Sequence, residues 1–221
     1  MSDTVSAVLF DVDGTLIDSN YLHVVTWWQA FAQAGHGVSM VRIHRDIGMG
    51  SDQLIDDLLP ADRDRAEDGG MAAAHDALYS AYWSRLRPLP GAADLLRACQ
   101  GHGLRVVLAS SAGAREFPVL RAALEADDAV DEATSSGDVA ASKPAPDLVQ
   151  VALERAGVEP AGAVFVGDSV WDAQACQRAG VRCVGVLSGG ISEAELLEAG
   201  AVRVFGGAAE LLAGFPGSLL D

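Results

Sequence analysis

Asp11 and Asp13 stand one residue apart at the end of the apolar run Val5–Phe10, and Gly14 and Thr15 follow at once. On an extended chain, residues i and i+2 point the same way, so both carboxylates can reach one pocket. Two carboxylates in one pocket can divide the chemistry. One attacks an electrophile as a nucleophile; the other, with a raised pKa, gives and takes protons. Gly14 permits a backbone path that a larger residue resists. Alone, Asp-x-Asp-Gly is more often a turn than a catalytic pair, because both residue types favour turns. Its company elsewhere in the chain changes that reading.

The company lies at the ends of other apolar runs. Leu104–Ala109 leads into Ser110-Ser111, and Ala163–Val166 leads into Gly167-Asp168-Ser169, with Asp172 one helical turn on. Lys143 is the only lysine beside fourteen arginines, and it sits in Ser142-Lys143-Pro144-Ala145-Pro146-Asp147. Gathered carboxylates raise each other's pKa unless a cation lies among them. A hard divalent ion answers this, and Mg²⁺ suits a site with few carboxylates that keeps waters. Lys143 offers the fixed positive charge that a phosphoryl transition state needs. Asp168-Ser169 also reads as the N-cap of the next helix, a role compatible with metal binding. Ser111 reads first as a loop hydrogen bond and only second as a substrate contact.

These residues need a scaffold that brings them together. Short apolar runs alternate with longer helical patterns, which implies βαβ units and a parallel sheet. Strands are expected at Val5–Phe10, Leu104–Ala109, Ala163–Val166, Cys183–Leu187 and Val202–Phe205. Helices are expected at Ala92–Cys99, Phe117–Leu124, Asp147–Ala156, Ala173–Ala179 and Glu193–Glu198, with Gly101, Gly103, Gly157 and Gly180 just beyond them. In such a sheet, ligands bind beyond the carboxyl ends of the strands, where the strand order reverses.

Residues 19–86 break the alternation. Leu22, Val25, Trp28 and Ala32 recur on one face, flanked by Trp27 and Phe31, so all three aromatics are expected in a core. Leu54, Ile55, Leu58 and Leu59 form a second stripe, and Ala74–Leu86 a third. The fold class expected is α/β: a Rossmann-like, doubly wound parallel core over residues 1–18 and 87–221, with an α-helical insertion at 19–86.

Composition removes several functions. The chain has 221 residues, and its 31 acidic against 15 basic residues give a formal charge of −16. A chain so acidic, without a basic run, makes a poor nucleic-acid binder and is repelled by an anionic membrane. No eighteen apolar residues run together, so a spanning helix is not expected. The start of the chain has no basic region, and no signal peptide is visible. Cys99, Cys176 and Cys183 are odd in number without metal-ligand spacing, which favours reduced thiols in a cytoplasm. A cytoplasmic globular protein is expected, as a monomer or homodimer.

Together, Asp11-Val12-Asp13-Gly14-Thr15-Leu16, Ser110, Lys143-Pro144 and Gly167-Asp168-Ser169-Val170-Trp171-Asp172 resemble the four signature motifs of the haloacid dehalogenase superfamily, in order, across nearly the whole chain. The helical insertion resembles that superfamily's cap. The resemblance implies that Asp11 attacks phosphorus and forms an aspartyl-phosphate. It implies that Asp13 protonates the leaving alkoxide and then activates water. Ser110 and Lys143 would hold the phosphoryl oxygens. Mg²⁺ would be bound by the carboxylates of Asp11 and Asp168 and the backbone carbonyl of Asp13. Asp172 would orient Lys143 or a metal-bound water.

The likeness extends to particular subgroups. The spacing of His23 from Asp11 matches a histidine that β-phosphoglucomutase-like members place above the site; the other reading is a histidine packed in the bundle. Ile47-Gly48-Met49-Gly50-Ser51-Asp52 resembles the cap loop that enters the site, while Arg42, His44 and Arg45 before it read as solvated. Asp13 argues against dehalogenation, since halide needs no protonation. The insertion holds no lysine for phosphonate chemistry by a Schiff base. Expected, then, is a Mg²⁺-dependent phosphatase for a small phosphorylated metabolite, of phosphoglycolate or sugar-phosphate type. A β-phosphoglucomutase-like mutase and a non-catalytic binding protein are the alternatives.

Overall fold

The computed structural model describes residues 5–220. Residues 1–4 and Asp221, which fall within the expected core segments, lie outside the described residues. Six parallel strands form one sheet: β1 (Ala7–Phe10), β2 (Arg105–Ala109), β3 (Glu132–Thr134), β4 (Ala163–Gly167), β5 (Arg182–Val186) and β6 (Arg203–Phe205). Their order is β3-β2-β1-β4-β5-β6. The chain therefore winds outward in one direction from β1 and then in the other from β4, the doubly wound arrangement. β1 pairs with both β2 and β4, Leu9 standing opposite Val107 and Phe165.

Strict alternation along β1 explains why it lies at the centre. Val8 and Phe10 join one core with Val106, Leu108, Val164 and Val166, while Ala7 and Leu9 join the opposite core with Val107, Ala109 and Phe165. Buried on both faces, the strand reads as an unbroken apolar run. The insertion between β1 and the next core helix is α1 (Asn20–Gln33), α2 (Met40–Asp46), α3 (Ser51–Leu58) and α4 (Asp68–Ser80). The core helices are α5 (Ala92–Gly101), α6 (Phe117–Leu124), α7 (Asp147–Ala156), α8 (Val170–Ala179), α9 (Glu193–Ala199), α10 (Ala208–Gly214) and α11 (Gly217–Leu220). Among the described residues, no helix is long and apolar enough to cross a membrane.

The sheet has one strand more than the five expected. β3 is a three-residue edge strand, Glu-Ala-Thr, too short and too polar to show alternation. The helix expected over Ala74–Leu86 ends at Ser80, and a short 3-10 turn at Trp83–Arg85 follows. The buried face of α1 also differs from the stripe anticipated. Val24, Trp27, Ala30 and Phe31 are buried, whereas Trp28 is 42% exposed and lies outside the core. Apolar residues encircle this helix, so its periodicity alone leaves the inward face ambiguous; packing against Ile43, Leu54, Ile55 and Met71 selects it.

Candidate active site

The three chain segments leaving β1, β2 and β4 converge where the strand order reverses. The Asp11 amide donates to the Val166 carbonyl at 2.9 Å, which prolongs the β1–β4 pairing by one step and sets Asp11 beside the end of β4. Gly14 turns the chain back with a φ of +77°, and a Cβ there would fall on Asn20 Nδ2 and Asp168 Oδ2. Only glycine serves at that turn. After β4, Ser169 caps α8: its Oγ accepts the Asp172 amide at 3.2 Å, and the Asp172 carboxylate accepts the Ser169 amide at 3.1 Å. The expected capping role therefore holds, and it anchors Asp172 as well.

Lys143 lies at the centre of this convergence. Its Nζ stands 2.6 Å from Asp11 Oδ1 and 2.7 Å from Asp172 Oδ1, and its side chain is wholly buried. Burial opposes its charge, but the attraction of Asp11 and Asp172 wins and holds the ammonium above its ordinary pKa. Burial drives Asp11 well above the usual carboxylate range, more than Lys143 draws it back. Asp168 is pushed to about 7, first by burial and then by the charge of Asp172. Its Oδ1 accepts from Thr15 Oγ1 at 3.0 Å and its Oδ2 from Asn20 Nδ2 at 2.7 Å.

Asp11, Asp168 and Asp172 can bring an oxygen each within 4.8 Å of one another. Three buried carboxylates against one ammonium leave an excess of negative charge in a poorly solvated place. Oxygen donors with that imbalance fit a hard divalent cation. All three carboxylates already have partners in the fold: Asp11 and Asp172 meet Lys143, Asp172 also meets Ser169, and Asp168 meets Thr15 and Asn20.

Asp13 sits on the other side of the β1 turn. Its Oδ1 accepts from Ser19 Oγ at 2.6 Å and lies 3.3 Å from His23 Nε2. Burial raises its pKa, yet the hydrogen bond and charge of His23, with Ser19 and Lys143 adding to them, bring it below the usual value. His23 answers both readings of the sequence. It packs in the bundle, stacked on Tyr79 at 4.0 Å, and it reaches Asp13. Its Nε2 also lies 3.6 Å from Glu116 Oε1.

Ser110 is buried at the end of β2, where its Oγ accepts the Ala112 amide at 3.0 Å. Ser111 Oγ donates to the Gly48 carbonyl at 3.3 Å, so it contacts the inserted helical segment. Between the strand ends and that segment lies a cavity of about 480 Å³, bordered by Asp11, Asp13, His23, Met49, Ser111 and Glu116. Further contacts join insertion and sheet. His44 Nε2 lies 2.8 Å from the Gly189 carbonyl, Trp171 Nε1 donates to the Arg45 carbonyl at 3.0 Å, and Arg45 pairs with Glu195. His44, which read as solvated, is instead half-buried against Tyr21 and Gly189, because α2 lies over the loop after β5.

Several residues here carried no assignment from the sequence: Thr15, Ser19, Asn20, His75 and Glu116. Glu116 follows the rule used for the other carboxylates, since it stands in the segment leaving β2. His75 lies in the four-spaced series Met71, His75, Tyr79, the buried stripe of α4. Asn20 had no such signal, and Gly189, in the glycine-rich turn Ser188-Gly189-Gly190, gave none of its approach to Asp168; each meets Asp168 only through the tertiary fold.

Residues 5–180 match the haloacid dehalogenase-like hydrolase family. The chain belongs to that family. This hydrolase is 31% identical over 189 residues to a phosphoglycolate phosphatase from Nitrosospira multiformis, covering 81% of its own length and 83% of the relative's. It is 30% identical to the chloroplastic protein Suppressor of Quenching 1 of Arabidopsis thaliana over 89% of its own length, but it spans only 19% of that larger protein. A solved hydrolase from Pseudomonas syringae superimposes with a TM-score of 0.90 at 32% identity, covering 94% of this chain and 96% of the other.

Proposed function

We propose that this hydrolase is a Mg²⁺-dependent phosphatase acting on a small phosphorylated metabolite, of phosphoglycolate or sugar-phosphate type, through a covalent intermediate on Asp11. One observation carries the reading: the buried Lys143 ammonium touches Asp11 at the floor of a cavity whose rim holds a second carboxylate, Asp13. An anion entering there meets a fixed positive charge at the atom that attacks.

Asp11 is the nucleophile, forming a bond to phosphorus as the ester oxygen leaves. Asp13 gives that oxygen its proton and then takes one from the water that cleaves the aspartyl-phosphate. Lys143 and the Ser110 hydroxyl hold the phosphoryl oxygens, with Ser111 at the cavity wall. The carboxylates of Asp11 and Asp168 and the Asp13 carbonyl are the groups to hold Mg²⁺. Bound there, the ion neutralises charge on the phosphoryl oxygens. Asp172 orients Lys143, and His23 attends Asp13 from the leaving-group side.

Residues 19–86 act as a cap. Closing over a small substrate, such a segment excludes water and shapes the pocket. A mutase must also grip a second phosphate. Lys143 lies buried behind Asp11, and among the described residues bordering the cavity there is no further Arg or Lys to grip a second phosphate, which favours hydrolysis over phosphoryl return. The buried, unpaired Cys99, Cys176 and Cys183 accord with a reducing cytoplasm.

The test is hydrolysis of p-nitrophenyl phosphate. Purified protein with Mg²⁺ releases p-nitrophenol, EDTA stops it, and Asp11→Asn abolishes it. Activity that survives Asp11→Asn would remove the covalent mechanism. A screen of phosphorylated metabolites for free phosphate then names the substrate; interconversion of β-glucose 1-phosphate and glucose 6-phosphate would show a mutase instead.

A further inference from the structure

The turn Ser188-Gly189-Gly190 after β5 is wedged between the inserted segment and Asp168. On one side, a Cβ at Gly189 would lie 1.7 Å from Asp168 Oδ2. On the other, a Cβ at Gly190 would come to 3.0 Å from both His44 Nε2 and the Tyr21 hydroxyl. Each face of the turn therefore presses on a side chain, and glycine alone leaves room for both. Two ties hold the turn in place. Ser188 Oγ donates to the Gly14 carbonyl at 2.7 Å, and His44 Nε2 lies 2.8 Å from the Gly189 carbonyl. A carbonyl only accepts, so the His44 nitrogen donates. The His44 ring is steadied by α1, where Tyr21 stacks on it with centroids 5.1 Å apart and planes 8° from parallel.

Asn20, the residue before Tyr21, completes the path. Its Nδ2 donates to Asp168 Oδ2 at 2.7 Å and lies 3.5 Å from the Gly189 carbonyl, too far for a strong bond. Gly189 is buried, so its carbonyl depends on His44, and a buried acceptor left without a donor is costly. Without His44, the nearest side-chain donor among the described residues is the Asn20 amide. Satisfying the carbonyl then draws Asn20 off the carboxylate and lets Gly189 shift against Asp168. One hydrogen bond from the insertion thus governs both the packing and the hydrogen bonding of Asp168.

We propose that His44, through the Gly189 carbonyl, positions the Asp168 carboxylate, so that the seating of α2 on the sheet and the affinity for a divalent ion are coupled. This coupling rests on the role proposed above for Asp168 as a ligand of Mg²⁺. Coupling between two sites is reciprocal: as α2 strengthens ion binding, the ion strengthens the hold on α2. His44 does not border the cavity. It is a positioning residue that acts through Gly189 and Asn20.

The test measures ion binding in the absence of substrate. His44→Phe keeps a ring against Tyr21 and removes the donor, whereas His44→Gln keeps an N–H. By isothermal titration calorimetry, the Kd of His44→Phe for Mg²⁺ is expected to rise about 10- to 100-fold. That of His44→Gln is expected to stay within about fivefold of wild type. Saturating Mg²⁺ is expected to slow amide hydrogen exchange across α2 in wild type and to leave it unchanged in His44→Phe. A residue that only supports the fold would lower the melting temperature and move neither reading. An unchanged Kd in His44→Phe, a Kd in His44→Gln as weak as in His44→Phe, or exchange in wild-type α2 that ignores Mg²⁺ would overturn the proposal. If His44→Phe does not fold, Tyr21→Leu, which frees the His44 ring, takes its place with the same expected loss. If wild type binds no Mg²⁺, the metal reading fails. The side-chain amide resonance of Asn20 then decides: it is expected to move in His44→Phe, and a resonance that overlays wild type overturns the link to Asp168.

Discussion

Lys143 Nζ lies 2.6 Å from Asp11 Oδ1 although 132 residues separate them, and the lysine's other partner, Asp172, comes from a third segment of the chain. This contact ties together the segments that follow β1, β3 and β4 as well as supplying charge. Removing one partner of a buried ion pair leaves the other uncompensated, at a cost of about 3–5 kcal/mol. Lys143→Met is therefore expected to lower the melting temperature in metal-free buffer and to reduce kcat by at least about 10²-fold at saturating Mg²⁺. Lys143→Arg is not expected to rescue, since the wholly buried site has no room for a planar fork. Thermal denaturation and p-nitrophenyl phosphate turnover check both variants.

Gly189 lies outside every recognised motif, yet a Cβ at that position would fall on Asp168 Oδ2. Gly189→Ala is expected to push the Asp168 carboxylate away from Thr15 and Asn20. Disturbing a ligand's supports typically weakens metal binding about 10- to 100-fold. The expected readout is a rightward shift of the activity curve against free Mg²⁺, with an unchanged far-ultraviolet circular dichroism spectrum. A curve that overlays wild type would show that Asp168 does not ligate.

Removal of divalent ions should affect stability as well as rate. A ligand that binds only the folded state adds about 2.7 kcal/mol at a concentration one hundred times its Kd. The protein is expected to melt at a higher temperature in Mg²⁺ than in EDTA, and Asp168→Asn to abolish the difference. Differential scanning fluorimetry reads both.

Asp46, at the end of α2, offers a pH test outside the site. Burial, with Asp57 nearby, raises its pKa from the ordinary 3.8 to about 7. A carboxyl raised on folding binds its proton more tightly in the native state, so its stabilisation is present below about pH 4 and is lost as pH rises through 7. Asp46→Asn is expected to match wild type near pH 4 and to exceed it by on the order of 2 kcal/mol at pH 8. Urea denaturation at the two pH values measures the difference. A difference that does not grow with pH would show that Asp46 titrates normally.

The sequence by itself determined the parallel sheet, because each central strand is an apolar run ending in a motif. It also placed Asp11, Ser110 and Asp168 at the carboxyl ends of strands. Strand β3 escaped because three polar-flanked residues at an edge owe their conformation to pairing with β2 and not to their own pattern. The inward face of α1 escaped because a helix apolar on all sides is oriented only by what it packs against. Tertiary structure alone decided that Asp13 meets His23, that His75 stands behind it, and that Gly189 and Asn20 flank Asp168. The physical reason is that strand ends are set by local pattern, whereas hydrogen bonds between distant segments depend on how the insertion and the loops settle on the sheet.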